Sequence, residues 1–198
     1  MAHSIQDFKT ALKGGGARAN LFEVSLTLPP GVSKATGYSD TNFSLLCKSA
    51  ALPASNIASV DVPFRGRIFK VAGERTFDVW TITVINDEDF AIRKTMERWS
   101  QYIGQYADGS GTTNPASYMS NATVKQLKRR PTNSAQSTGQ GLDVAATYNF
   151  YDIFPTSVAA IDLSYDTSDT IEEFTVEFQV QYWTPAEVAN TTSTAPGV

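Results

Sequence analysis

The chain has 198 residues, 41% of them hydrophobic, and a formal net charge of −4. That length suits one domain able to bury a core without staples, and the acidic balance excludes nucleic-acid binding driven by bulk electrostatics. With Cys47 the only cysteine and His3 the only histidine, an intramolecular disulfide and a four-ligand Cys/His zinc site are both impossible.

The N-terminal MAHSIQDFKTALKGGG has no apolar core of the kind a signal peptide carries. No run approaches the ~18 apolar residues of a membrane span. The expectation is a soluble, unsecreted protein. Residues 5–13 suit one or two helical turns, ended by the glycines at 14–16. KGGGAR lacks the Gly-Lys-Ser/Thr ending of a phosphate-binding loop and is followed by a strand pattern, so it reads as a flexible joint.

Asn20 to Leu28 alternates as a strand, with Phe22, Val24, Leu26 and Leu28 on one face. Pro29, Pro30 and Gly31 stop it. Residues 31–44 read as a polar loop, and SLLCKSAAL as an extended piece before Pro53. From Ile57 to Ile85 two or three strands are expected, turning at Gly66 or Gly73. The last of them, Thr76 to Ile85, is apolar on both faces and therefore needs two packing partners.

A helix is expected over about residues 87–104. Asn86 or Asp87 suits its cap, Glu88 and Asp89 suit the positive end of its dipole, and Ile92, Met96, Trp99 and Ile103 form one apolar stripe. Residues 107–121 read as a surface loop, ATVKQLKRR as a strand, and 131–141 as a low-complexity polar excursion. Leu142 to Phe154 alternates in part, and Ala159, Ile161, Leu163 and Tyr165 share a face of the next segment. EEFTVEFQVQYW closes the pattern, with Phe174, Val176, Phe178, Val180 and Tyr182 alternating with polar residues and Trp183. The fold class is mainly β: an antiparallel sandwich or barrel with one flanking helix. Residues 1–19 form an N-terminal arm, 20–184 one β domain, and 185–198 a flexible tail.

No catalytic constellation emerges. Asp87, Glu88 and Asp89 are explained as helix-start charges, and Cys47 has no histidine to activate it other than His3. KQLKRR contains no interleaved aromatics for base stacking. That leaves FRGRIFKVAGER, Phe64 to Arg75, with four cationic side chains in twelve residues. It suits a phosphate clamp, a subunit contact or a solvated hairpin. Trp183 interrupts the polar face of its strand, which suits either edge packing or a contact with a neighbour.

Four blocks taken in order carry a family resemblance: GGGARANLFEV, LCKSAALPASNI, FRGRIFKVAGERTFDVWTITVINDEDFAIRKTMERW and YNFYDIFPTSVAAIDLSYDTSDTIEEFTVEFQVQYW. Together they resemble the tail tube proteins of contractile-tailed bacteriophages over roughly residues 8–184. The resemblance implies a structural virion protein without active site, metal or cofactor. Such proteins form hexameric rings stacked into a hollow tube, assembled in the host cytoplasm. Implied partners are further copies of the chain, the tail sheath, the baseplate or tube initiator, the tail terminator and the tape-measure protein. DNA passes transiently through the lumen, and no membrane insertion is implied.

On that basis Arg18, Asn20, Arg65, Arg67, Lys70, Arg75 and Trp183 are assigned to a subunit or ring interface, and Glu177, Gln179 and Gln181 to the lumen. The alternatives are the tube of a type VI secretion system or phage-derived contractile particle and, in another class, a β-sandwich ligand-binding module. A hydrolase on a β scaffold is disfavoured by the missing constellation.

Overall fold

The computed structural model describes residues 4–12, 15–129, 143–166 and 168–186. The excursion at 131–141, His3 and residues 187–198 of the tail lie outside these. In chain order the elements are α1 (Ile5–Ala11), β1 (Phe22–Leu26), α2 (Asp40–Leu46), β2 (Cys47–Ala50), β3 (Ser55–Phe64), β4 (Arg67–Phe77) and β5 (Trp80–Ile85). There follow α3 (Ala91–Ile103), α4 (Pro115–Tyr118), β6 (Ser120–Leu127), β7 (Val144–Val158), β8 (Glu173–Gln179) and β9 (Tyr182–Pro185). The expected mainly antiparallel β fold with a flanking helix is what forms.

Seven strands share one antiparallel path, β1-β6-β7-β8-β5-β2, with β9 joined to β7, while β3 and β4 pair only with each other. The fifteen-residue β7 holds the path together because it serves two sheets. Its first part pairs with β6 (Tyr148 opposite Val124) and with β9 (Phe150 opposite Trp183). Its last part pairs with β8 (Phe154 opposite Gln179). The change of sheet falls at Asp152, whose φ of 53° lies in the left-handed region and whose N–H donates to Asn121 Oδ1 at 3.2 Å. Register shifts flank it on β6 and on β7. A strand turns a corner between two sheets by such local irregularities.

An aromatic cluster occupies the centre of the core. Trp80 stacks on Phe150 at 4.8 Å between ring centroids, Phe178 lies 5.3 Å from Trp80, and Trp99 lies 5.9 Å from Phe178. All four are fully buried, which ties β5, β7, β8 and α3 at one point. The α3 stripe lands as expected: Ile92, Met96 and Trp99 are buried and Ile103 packs at the margin. Trp99 Nε1 donates to the Tyr118 carbonyl at 2.8 Å, so its polar edge is satisfied inside the core.

Several boundaries differ from the sequence expectation. α3 starts at Ala91, not 87, because Phe90 at its N-cap is left-handed (φ 54°). Asp87 nevertheless supplies the capping oxygen, accepting from Ala91 N–H at 3.0 Å. The loop expected at 31–44 contains the start of α2, capped by Ser39, whose hydroxyl accepts from Asn42 N–H. Phe43 is the one residue α2 buries, so no helical period was visible. The 107–121 loop contains α4 and the first residues of β6.

The strand expected at Thr76–Ile85 is two: β4 ends at Phe77 and β5 begins at Trp80. Within β5, Trp80, Ile82 and Val84 are buried, whereas Thr81, Thr83 and Ile85 are only half-buried. Residues 159–165 form no strand. After Ala159 N–H donates to the Thr175 carbonyl at 2.8 Å the chain leaves the sheet, and Leu163 and Tyr165 stand at 80% and 107% exposure. The final strand breaks after Gln179, since the partners beyond it lie on the other half of β7. Phe174, Val176, Phe178 and Val180 keep their buried face, but Tyr182 crosses over to stack on Tyr151 at 4.8 Å.

Phe178→Ala removes the ring shared by Trp80 and Trp99. It should lower the unfolding free energy by ~3–5 kcal/mol, read as a lower urea midpoint. A loss below ~1 kcal/mol would mean that the cluster is not the centre of the core.

Candidate assembly surface

β3 and β4 form a hairpin of ten- and eleven-residue strands. Pairing runs from Ser55 opposite Phe77 to Phe64 opposite Arg67, with a register shift between Ile57 and Ser59. Gly73 sits beside that shift, where a Cβ would meet the Ala58 carbonyl at 3.1 Å. The turn is therefore at Arg65-Gly66, the first of the two expected sites. Successive side chains alternate between faces. Val60, Val71, Val62, Phe69 and Phe64 share one face with Arg67. Ser59, Ala72, Asp61, Lys70, Pro63 and Ile68 share the other.

The apolar face is bare. Phe64 and Phe69 are each 66% exposed, and Val60, Val62 and Val71 between 43% and 51%. A two-stranded hairpin is marginal by itself in water, and a contiguous apolar patch of this kind marks an interaction surface. Among the described residues no layer covers this face of the hairpin.

The basic residues of the hairpin have different surroundings. Lys70 pairs with Asp61 directly across the ladder at 3.4 Å. At the root, Arg75 donates to the Ser55 hydroxyl at 3.0 Å. The Arg65 guanidinium lies 5.4 Å from the centre of the Phe64 ring. The Arg67 side chain makes no ion pair or hydrogen bond among the described residues. The two-residue turn has positive φ at both positions, 45° at Arg65 and 81° at Gly66, as a type I′ turn requires. Asn or Gly fits the first position with little strain, whereas a long side chain there costs about 1 kcal/mol. An arginine at that position is therefore a choice made against local preference.

The remaining interface candidates lie elsewhere. Arg18 and Asn20 are exposed in the segment before β1, where the Arg18 carbonyl accepts from Gln126 Nε2. Asn20 stands at the mouth of a groove of about 590 Å³ lined by Phe22, Ala50, Leu52, Val124 and Tyr148. This groove is the seam between β1 and β2, the two ends of the strand path. Neither end strand has a partner on its outer edge among the described residues, and a free edge is a template for another chain. Trp183 is half-buried and meets Phe77 at 6.1 Å and Tyr148 at 5.7 Å, both edge-on. It packs the root of the hairpin against β7.

Glu177 and Gln179 lie on the outward face of β8 together with Thr175. Thr81 and Thr83 of β5 stand opposite Glu177 and Thr175, and Ser157 of β7 stands opposite Glu177 on the other side. Lys48, the cation beside this face, pairs with Glu173. Gln181 is exposed in the break between β8 and β9, off the strand that carries the other two. The signal that sequence reading passed over is the row of apolar residues on one hairpin face; the cations drew attention first.

No group of three or more His, Cys, Asp or Glu suited to a metal occurs among the described residues. Burial pushes the Cys47 thiol up to about 12, the opposite of an activated nucleophile. Alkylation of the folded chain at pH 8 should accordingly be at least ~10-fold slower than in urea; equal rates would contradict this burial.

A family model described as phage tail tube protein matches residues 17–186. Tail tube protein gp19 of Enterobacteria phage T4 is 31% identical over 180 residues, covering 90% of this chain and 98% of the relative. Among solved structures, a chain of the anti-feeding prophage baseplate superposes with a TM-score of 0.58 at 9% identity, covering 85% of this chain and 94% of that one. A chain of the sheath–tube complex of the extracellular contractile injection system PVC gives 0.55 at 14% identity, covering 93% and 98%. These two likenesses concern the fold. The extent of the family match and the 31% identity together place the chain in the phage tail tube protein family.

Proposed function

We propose that this chain forms hexameric rings that stack into the hollow inner tube of a contractile phage tail, through which DNA enters the host. It acts there as a structural subunit and performs no catalysis. The observation that carries the reading is the β3–β4 hairpin, whose exposed apolar face has no layer to cover it among the described residues. Two further features support it: the open outer edges of β1 and β2 suit pairing around a ring, and a repeated head-to-tail contact generates an open filament.

Copies of the chain are its first partners. The sheath, a baseplate initiator, a tail terminator and a tape-measure protein complete the assembly, as the family resemblance implies. The outward face of β5, β8 and the end of β7 suits the lumen. It carries Thr81, Thr83, Thr175, Glu177, Gln179 and Ser157, and Lys48 beside it is neutralised by Glu173. A wall without free cations forms no lasting phosphate contacts, so DNA slides. The injection-system likenesses favour a second reading, the tube of a contractile particle that carries no DNA. The 31% identical phage relative weighs against it.

Negative-stain electron microscopy of the purified protein should show six-fold rings or tubes with a central channel. A persistent monomer at high concentration, also on adding a tube-initiating complex, would sink the proposal. Arg67→Glu should raise the concentration needed for assembly by about tenfold, an effect of the size expected for an interfacial charge. The urea midpoint should stay put, since the side chain is exposed and unpartnered among the described residues. Normal tubes from this variant would make the hairpin tip a merely solvated turn.

A further inference from the structure

The apolar alternation at 161–165 that formed no strand remains unexplained by the fold. Leu163, Tyr165 and Ile171 are exposed at 80%, 107% and 71%. Asp162, Leu163, Tyr165, Thr170 and Glu172 line a pocket of about 410 Å³. Between residues 159 and 172 the sequence has four carboxylates and no lysine or arginine. The segment is thus apolar and acidic, and it is the counterpart of the hairpin tip. From Phe64 to Lys70 the sequence has three cations, two phenylalanines and an isoleucine, and no acid. Lys70 is already paired with Asp61, which leaves Arg65 and Arg67 without a carboxylate among the described residues.

Strand register puts these two features at opposite ends of the molecule. β5 and β8 pair from Trp80 opposite Phe178 to Ile85 opposite Glu173. The hairpin is rooted at the first end, where Phe77 lies three residues before Trp80 and Asp78 N–H donates to the Ala54 carbonyl. The 159–172 segment is rooted at the second end. There Asn86 N–H donates to the Glu172 carbonyl at 2.9 Å and Asn86 Nδ2 to Glu172 Oε2 at 3.1 Å. One chain does not bring its own tip to its own pocket, because the six-residue strand β5 lies between their roots. A second copy stacked in the same orientation can do so, since each copy offers a basic apolar plug at one end and an acidic apolar socket at the other.

We infer that the pocket of the 159–172 segment is the receptor for the hairpin tip of the next copy along the axis, with Arg65 meeting Asp162 and the phenylalanines meeting Leu163 and Tyr165. This rests on the tube reading above and adds the receiving site. It also accounts for the strained position of Arg65: φ 45° holds a cation at the outermost point of the hairpin, where an unstrained Asn would reach no carboxylate.

The test joins the two ends. Arg65→Cys and Asp162→Cys are combined in one chain, tubes are formed from the purified protein, and they are oxidised mildly. Cys47 is buried and does not compete. A ladder of disulfide-linked dimers, trimers and longer species on non-reducing gels is expected, absent from either single variant. Tubes that assemble but yield no ladder overturn the inference and leave the tube reading standing. Failure of the unmodified chain to form rings or tubes overturns both. As a second arm, Arg65→Glu and Asp162→Arg should each raise the concentration needed for assembly by about tenfold. Combined in one chain they should recover most of that loss; a double variant as poor as either single one also counts against the contact.

Discussion

The contact of Phe178 with Trp80 and Trp99 fixes more of this molecule than any other. Phe178 lies on β8 opposite Trp80 of β5, so contact of the two rings sets the register of the central strand pair. Trp99 brings α3 onto the same point, and Phe150 brings β7. Once these four rings are packed, the ends of β5 and β8 are determined, and with them the two poles of the chain. The hairpin leaves from the Trp80 end and the acidic segment from the Ile85 end because the core leaves them no other exit. Core packing thereby sets the two ends between which the proposed stacking would run.

The same core leaves part of the apolar surface unused. Apolar burial stabilises by roughly 25 cal/mol per Å², and the described core draws on every strand of the seven-membered path, while β3 and β4 contribute only at their root through Phe77 and Trp183. The outer part of the hairpin keeps its order through ladder hydrogen bonds and cross-strand pairs such as Val60–Val71 and Val62–Phe69. Such pairs contribute roughly 0.2–1 kcal/mol each, which is little for strands of this length. A chain that pays the entropy of ordering such strands recovers it when a neighbour covers them. If the chain assembles as proposed, its stability and its assembly are coupled.

What could be read from the sequence was whatever repeats over three or more turns or pleats. The α3 stripe of Ile92, Met96 and Trp99 and the β8 alternation of Phe174, Val176 and Phe178 both recur against a single buried layer, and both were legible. α2 was not, because it buries only Phe43. The sheet change in β7 was not, because Asp152 and Asn121 make it through one local hydrogen bond that no period announces. The break between β8 and β9 was hidden for a related reason: Tyr182 continues the alternation in sequence while its partner strand has turned away. Residues 161–165 erred in the other direction. Their alternation is real, but no free strand edge stands beside it, so it marks a surface and not a strand. The family resemblance was legible because it rested on long blocks, and the family match over residues 17–186 bears it out. Interface and lumen residues were less legible, since a single chain never contains the surface that would define them.

Charge placement follows the same division between body and poles. On the body, Lys34 pairs with Asp40, Lys48 with Glu173, Arg93 with Glu97 and Lys125 with Glu23. Lys94 and Arg98, which form no ion pair among the described residues, donate instead to the carbonyls of Asp89 and of Ser33 and Lys34. Exposed pairs of this sort contribute about 0–1 kcal/mol, so stability is a weak reason for the pattern. Its effect is on the field. These pairs reduce the charge on the sides, while Arg65 and Arg67 at the tip and the carboxylates of the 159–172 segment have no ion pair among the described residues. In the stacking proposed above, two copies approaching in solution would be attracted pole to pole and would gain little from meeting side by side in the wrong orientation. Complementary charge of this kind governs encounter rate and register more than affinity, and the apolar side chains beside it supply the burial that holds the contact once it has formed.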